Sequence, residues 1–284
     1  MNDAPGVLFE QTPADNEIPL VFDSPHSGTT YPDDFRSVLP LARLRKAEDT
    51  FVHELYAAAP AAGAVLMGAH FPRIYIDPNR SEADLDLELL DGDWDVALRP
   101  SRKTDLGVGL IWRLAPPGDP IYDRRLSPAE TRHRIETYHR PYHATLKGHL
   151  DRLHDQFGQV WHINCHSMPE HGSVMSEDGP DAVRPDFILG DRDGTSCGVE
   201  LTEFVRAHLA DRGYGVVLND PYKGVELVRA YSAPEAGRHS LQIEINRKLY
   251  MREESFERSD GFNTLQAELT GLIEALAEFV RSRT

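Results

Sequence analysis

Histidines that directly follow apolar runs are the first residues in this chain able to do chemistry. His26 sits in Asp23-Ser24-Pro25-His26-Ser27-Gly28, immediately after the strand-like run 19–23. In open α/β sheets, ligands gather where strands end and loops begin. A histidine there, followed by a glycine that lets the backbone turn tightly, suits a metal ligand or an acid/base. A turn histidine bonded to its own loop is the plainer alternative. The second cluster is Trp161-His162-Ile163-Asn164-Cys165-His166-Ser167-Met168. Strand alternation puts His162, Asn164 and His166 on one side and Trp161, Ile163 and Cys165 on the other. His166 falls at the carboxyl end of its strand, as His26 does. Two such histidines joined by a carboxylate would give three protein ligands, the set that leaves a catalytic zinc one open position. His162 lies deeper and reads as a hydrogen-bonded core histidine. Cys165 points away from His166 and reads as a small buried residue rather than a nucleophile.

A carboxylate interrupts another apolar run, in Leu241-Gln242-Ile243-Glu244-Ile245-Asn246-Arg247. Burying it is costly unless it is paired or put to use. Partial desolvation would raise the pKa of Glu244, which suits a general base acting on a metal-bound water; an ion pair with a neighbouring arginine is the structural alternative. Arg73 and Arg80 bracket a short run in Pro72-Arg73-Ile74-Tyr75-Ile76-Asp77-Pro78-Asn79-Arg80. A guanidinium is a planar fork of donors that matches carboxylates, although ordinary solvated charge would explain both arginines as well. Lys223, Arg229 and Arg238, in the segment 221–239, add positive potential. His133, His139, His143, His149 and His154 lie along one helical segment and read as solvated face positions. No Walker-type loop, dinucleotide fingerprint, G-x-S-x-G elbow or paired C-x-x-C occurs.

Positioning these residues requires strands that end together. The runs 19–23, 64–69, 73–77, 160–165, 186–189, 214–218 and 241–245 read as strands. Helical patterns fill 39–62, 127–157, 195–211 and 253–283. Ser127-Pro128-Ala129-Glu130 opens the second with a capping-box pattern, and Pro141 should kink or split it. Gly213 stops the third. In the fourth, Leu265, Leu269, Leu272, Ile273 and Leu276 share one face. Strands alternating with helices predict a three-layer α/β/α fold with a central mixed sheet, as a single domain over 1–284. The acidic stretch 81–95 reads as a solvated excursion. The Gly- and Pro-rich stretch 99–119 reads as a long loop bordering the site.

Composition narrows the function. A formal charge of −16 opposes nucleic-acid and anionic-membrane binding. It also means that an acidic substrate needs a local cluster of Arg or Lys. Two cysteines imply no disulfide framework and fit a reducing compartment. Residues 1–11 lack the pattern of a signal peptide, and no apolar run is long enough to span a bilayer, so the cytoplasm is expected.

Four segments, in order, resemble the N-formylglutamate amidohydrolase (deformylase) family. They are the S-P-H-S-G loop from Ser24, the D-x-N-R segment from Asp77, the C-H-S-M strand end from Cys165 and the E-x-N-x-x-x-Y-M stretch from Glu244. The resemblance runs from about Phe22 to Met251. It implies a fold similar to zinc carboxypeptidases and aspartoacylase-type deacylases, one Zn2+ ion, and a role in histidine degradation. It implies His26, Asp49 and His166 as the zinc ligands; spacing alone does not choose Asp49 over Glu48. Glu244 would be the general base and Arg73 the oxyanion donor. Asn79 and Arg80 would grip a substrate carboxylate, with Lys223 or Arg229 assisting. The partner implied is a small acidic N-acyl amino acid, bound by a monomer or small homo-oligomer. Asn164 and Val225-Glu226 depart from the family's usual pattern. They leave open a deacylase or exopeptidase acting on another N-acyl amino acid, or a binding module without catalysis.

Overall fold

Short apolar runs bounded by turns assemble into one mixed sheet in the computed structural model, which describes residues 6–176 and 178–284. Part of the stretch 1–11, read above for a leader, lies outside the described residues. The strands are β1 (Leu8–Gln11), β2 (Leu20–Ser24), β3 (Val65–Ala69), β4 (Val160–Met168), β5 (Phe187–Gly190), β6 (Val216–Leu218) and β7 (Arg238–Asn246). Their order is β1-β3-β2-β4-β7-β5-β6. The central four run parallel, β1 and β5 pair antiparallel with β3 and β7, and β6 runs parallel to β5.

Alternation along the strands builds two cores. Leu20, Phe22, Trp161, Ile163, Cys165, Leu241 and Ile243 face one side. Against them pack α3 (Val199–Ala210) and α5 (Phe262–Arg281), the latter through Leu265, Leu269, Leu272, Ile273 and Leu276. Each such leucine removed from water contributes roughly 1.5–3 kcal/mol. Val21, Val65, Met67 and Val160 face the other side and meet Leu146, Leu150 and Leu153 of α2 (Arg140–Phe157). Helices on both faces make the three layers that the strand–helix alternation predicts.

A polar stripe crosses the α2 side of the sheet. The parallel register pairs Asp23 with Asn164, Asn164 with Gln242, and His166 with Glu244. Residues in register on neighbouring strands point to the same face. His166 and Glu244 are therefore side by side.

Several elements differ from the sequence expectation. Residues 73–77 form a turn and irregular backbone rather than a strand; β1 already occupies the edge beside β3, pairing Leu8 with Ala69. The region 39–62 breaks into one-turn pieces, Leu41–Leu44, Arg45–Ala47, Val52–Leu55 and Pro60–Ala62. Phe51, with φ of 67°, takes a left-handed conformation that no continuous helix tolerates. The segment 127–157 is not split at Pro141. α1 (Pro128–Arg134) runs into α2 through a π-turn, Ile135–His139, whose extra residue absorbs the proline. α3 starts at Val199 rather than Thr195. Ahead of α5 lies a hairpin of Met251–Arg252 with Glu257–Arg258, so the last helix starts later than its apolar pattern suggested. The stretch 81–95 is not simply solvated: Asp84, Leu85, Asp86, Leu89 and Leu90 are buried, and Asp84 accepts hydrogen bonds from Ser101 and Thr104. The segment 99–119 holds a one-turn helix, Arg102–Asp105, and a hairpin of Leu114–Ala115 with Asp119–Pro120.

Candidate active site

The turn after β2 presents His26. Gly28 in that turn has an ordinary φ; its need is close approach, since a Cβ there would clash with the Phe71 carbonyl oxygen. His26 Nε2 donates to Asp77 Oδ1 at 2.7 Å, which leaves Nδ1 without a hydrogen-bond partner and 3.4 Å from Asp49 Oδ2. Asp49 is delivered by the break ahead of Phe51. Its backbone N–H donates to the His26 carbonyl at 3.0 Å, and Ser27 Oγ donates to its carbonyl at 3.0 Å. On β4, His166 Nε2 donates to Asn164 Oδ1 at 2.7 Å, and its Nδ1 lies 3.1 Å from the same Asp49 Oδ2. The two imidazole centroids are 4.6 Å apart.

Two imidazole Nδ1 atoms and one carboxylate oxygen thus converge, all within 4.8 Å of one another and all buried. The buried Nδ1 of His26 is otherwise orphaned, and the donor set of two nitrogens and one carboxylate oxygen is that of a divalent cation site with an open position. The residues fit such an ion. Burial pushes the Asp49 carboxyl up, but the His166 and His26 rings that face it and the Arg73 guanidinium hold it well below the usual carboxylate range. Glu48, the neighbouring carboxylate, turns away and accepts from Tyr31 and Arg45 instead.

The polar support is layered. Asp77 also accepts from Arg73 Nη2 at 2.8 Å, from Trp112 Nε1 at 3.3 Å and from the Asn79 backbone at 2.9 Å. Arg247 Nη2 donates to Asp49 Oδ1 at 3.1 Å. Below His166, Asn164 Nδ2 donates to Asp23 Oδ1 at 2.8 Å; His162 and Tyr142 also donate to Asp23, each at 2.7 Å. His162 is the satisfied core histidine expected.

Glu244 stands at the same cavity, with Gln242 Nε2 donating to its Oε1 at 2.9 Å. Burial pushes its carboxyl up; His166 pulls it down and the negative charge of Asp49 adds to the rise. The cavity has a volume of about 550 Å³. Its lining includes six cationic side chains, Lys46, Arg73, Arg80, Lys103, Arg184 and Arg247. They share the lining with Asp49, Glu244, Glu253 and Glu254. Arg73, Arg184 and Arg247 are paired with Asp77, Asp178 and Asp49, so the cluster is the local group of cations that an acidic substrate needs within an otherwise mixed wall.

A family model described as N-formylglutamate amidohydrolase matches residues 18–251. The chain belongs to this family. A curated N-formylglutamate deformylase of Pseudomonas putida is 33% identical over 266 residues, covering 91% of this chain and 92% of the relative. One of Pseudomonas aeruginosa is 30% identical over 272 residues, with 94% and 95% covered. The crystal structure of an N-formylglutamate amidohydrolase from Ralstonia eutropha superposes with a TM-score of 0.95 at 47% identity, covering 98% of this chain and 100% of that one. A gene product from Agrobacterium tumefaciens, 17% identical with a TM-score of 0.70 over 100% and 98% of the chains, shares the fold. Membership makes this chain an amidohydrolase, an enzyme acting on an amide bond.

Within this family member, the structure brings His26, Asp49, Arg73, Asn79, Arg80, His166 and Glu244 to one cavity. It does not bring Lys223 and Arg229 there. Lys223 pairs with Asp193 at 2.9 Å and Arg229 with the half-buried Glu226 at 2.7 Å, and both cations are exposed. Glu226 is likewise absent from the lining, so its charge does not confront an anionic ligand. Arg184 and Arg247 were missed by sequence reasoning, and Asp77 had no role assigned. A charged residue beside a strand end was their one signal, and many surface residues share it. Of the helical histidines, His133 is exposed as expected, whereas His139 and His149 are buried and His143 and His154 half-buried. Among the described residues, no helix is long and apolar enough to cross a membrane.

Proposed function

We propose that this amidohydrolase cleaves N-formyl-L-glutamate to formate and L-glutamate with one divalent ion, zinc by its donor set. The observation that carries the reading is the convergence of His26, Asp49 and His166 beside Glu244 in a cavity ringed by cations. When bound, the ion would supply Lewis-acid chemistry, lowering the pKa of a water toward about 7 and polarising the formyl carbonyl.

The chain's own residues do the rest. Asp77 and Asn164 hold the two imidazoles in the Nε2–H tautomer, so that each Nδ1 lone pair faces the ion site. Glu244, adjacent to His166 in register, takes the proton of the attacking water and passes it to the departing amine as the C–N bond breaks. Arg73, clamped by Asp77 and stacked 4.9 Å from the Trp112 ring, offers its guanidinium to the oxygen that gains charge. A well-placed donor of this kind is worth on the order of 3–4 kcal/mol. Asn79 and Arg80, with the neighbouring cations, hold the substrate carboxylates. The free, buried Cys165 and Cys197 fit a reducing compartment such as the cytoplasm.

Formate release from N-formylglutamate, and glutamate release from its N-acetyl and N-succinyl counterparts, measured beside metal content, test this. The formyl substrate should be strongly preferred by a protein carrying about one zinc per chain. Equal or greater turnover of another acyl group would move the assignment to a general N-acyl amino-acid deacylase. No turnover in the zinc-loaded protein would leave a binding module.

A further inference from the structure

Residues 73–80 carry Arg73, Asp77, Asn79 and Arg80, yet they have no strand partner. Buried carbonyls in such a segment need donors from elsewhere. Three come from a single helical column. Arg134 Nη1 on α1 donates to the Tyr75 carbonyl at 3.0 Å. His139 Nε2, closing the π-turn, donates to the Arg80 carbonyl at 2.8 Å, and His143 Nε2 on α2 donates to the Pro78 carbonyl at 2.8 Å. The two imidazoles stack with centroids 4.3 Å apart. The residue between those two carbonyls is fixed from a third direction, because Asn79 Oδ1 accepts from the Leu227 backbone N–H at 2.9 Å. Leu227 belongs to α4 (Glu226–Tyr231), whose Tyr231 hydroxyl donates to His143 Nδ1 at 2.7 Å.

The π-turn makes this possible. One extra residue rotates α2 about the helix axis relative to α1. Arg134 before it and the His139–His143 pair after it can then reach different carbonyls of one irregular segment. Burial drives the His143 pKa down to about 3, so this ring stays neutral, with Nε2–H facing the carbonyl and Nδ1 accepting from tyrosine.

We infer that His139 and His143 are positioning residues for substrate recognition: through the carbonyls of Arg80 and Pro78 they hold the Asn79-Arg80 grip in its carboxylate-binding geometry. This rests on the proposed reading of Asn79 and Arg80.

The test compares His139→Leu with His139→Gln, whose amide can donate to the same carbonyl. For N-formylglutamate, His139→Leu should raise KM about tenfold, as the loss of an orienting contact does, with kcat changed less than about threefold and zinc content unchanged. His139→Gln should restore KM to within about threefold of the parent. An unchanged KM in folded His139→Leu, or no rescue by glutamine, overturns the inference. Should His139→Leu fail to fold, His143→Phe and His143→Gln are read by the same criteria. Amide exchange across residues 73–80 gives an arm independent of substrate. It should quicken in the leucine variant and return toward the parent rate in the glutamine variant, and equal protection in all three overturns the inference. A parent enzyme that releases no formate while that exchange pattern holds would sink only the substrate assignment.

Discussion

Asp77 accepts the Nε2 proton of His26 across 2.7 Å, and this contact turns the other ring nitrogen toward Asp49. The two residues are 51 positions apart and lie on loops that never pair as strands. A metal-directed imidazole depends on such a partner for its tautomer and orientation. Asp77→Asn should therefore weaken zinc binding by about 10–100-fold, read by competition with a chromogenic chelator. Parent-like zinc affinity would remove Asp77 from the support of the site.

Glu244→Gln keeps the shape of the wall and removes the proton acceptor. Turnover should fall about 10²–10⁴-fold while zinc content stays at the parent value. In the parent enzyme the base must be ionised, so activity is lost as pH falls through the Glu244 pKa. Burial raises that pKa, so the acid limb of kcat/KM should lie above the ordinary glutamate value of about 4.3. A limb below it would contradict the assignment.

Lys223→Ala and Arg229→Ala should leave KM within about twofold, because both cations are exposed and neither lines the cavity. A tenfold rise in either variant would show that the surrounding loop closes over substrate.

Asp23 governs the acid stability of the polar stripe. Burial pushes its carboxyl up, but the His162 charge and hydrogen bonds from His162, Asn164 and Tyr142 outweigh that and hold it below the usual range. A depressed folded pKa gives stability that is present above the unfolded value, about 3.9, and lost as pH falls through the folded one. Asp23→Asn should cost about 3 kcal/mol at pH 7, and the gap to the parent should narrow below pH ~4. Denaturant titrations at both pH values check this; a constant gap would contradict it.

Gly28→Ala forces a Cβ against the Phe71 carbonyl. It should cost about 1–3 kcal/mol and lower zinc affinity by shifting His26. An alanine variant with parent stability would mean that the turn relaxes freely.

His166, Glu244 and the inert Cys165 were legible because strand alternation is local: residues two apart share a face whatever the rest of the chain does. The same alternation misled at 73–77, where Ile74 and Ile76 look strand-like but β1 fills the available edge. His139, His143 and His149 were misread for a related reason, whereas His133 is exposed as expected. Polar residues on a helix look solvated until it is known that an irregular segment with unpaired carbonyls lies against them. Asp49 became readable through family resemblance, since neither spacing nor charge separates it from Glu48.

The sequence by itself determined the apolar alternation, the alternating strands and helices, and the two histidines placed at strand ends. Those follow from forces acting between near neighbours in the chain. Only the tertiary structure decided that Asp49 rather than Glu48 meets the imidazoles, and that Arg247, 198 residues further on, steadies it. It also decided which cations line the cavity and which, like Lys223 and Arg229, lie on the surface away from it. Those choices depend on how separate segments converge, and electrostatic and hydrogen-bond energies depend on distance in space rather than along the chain.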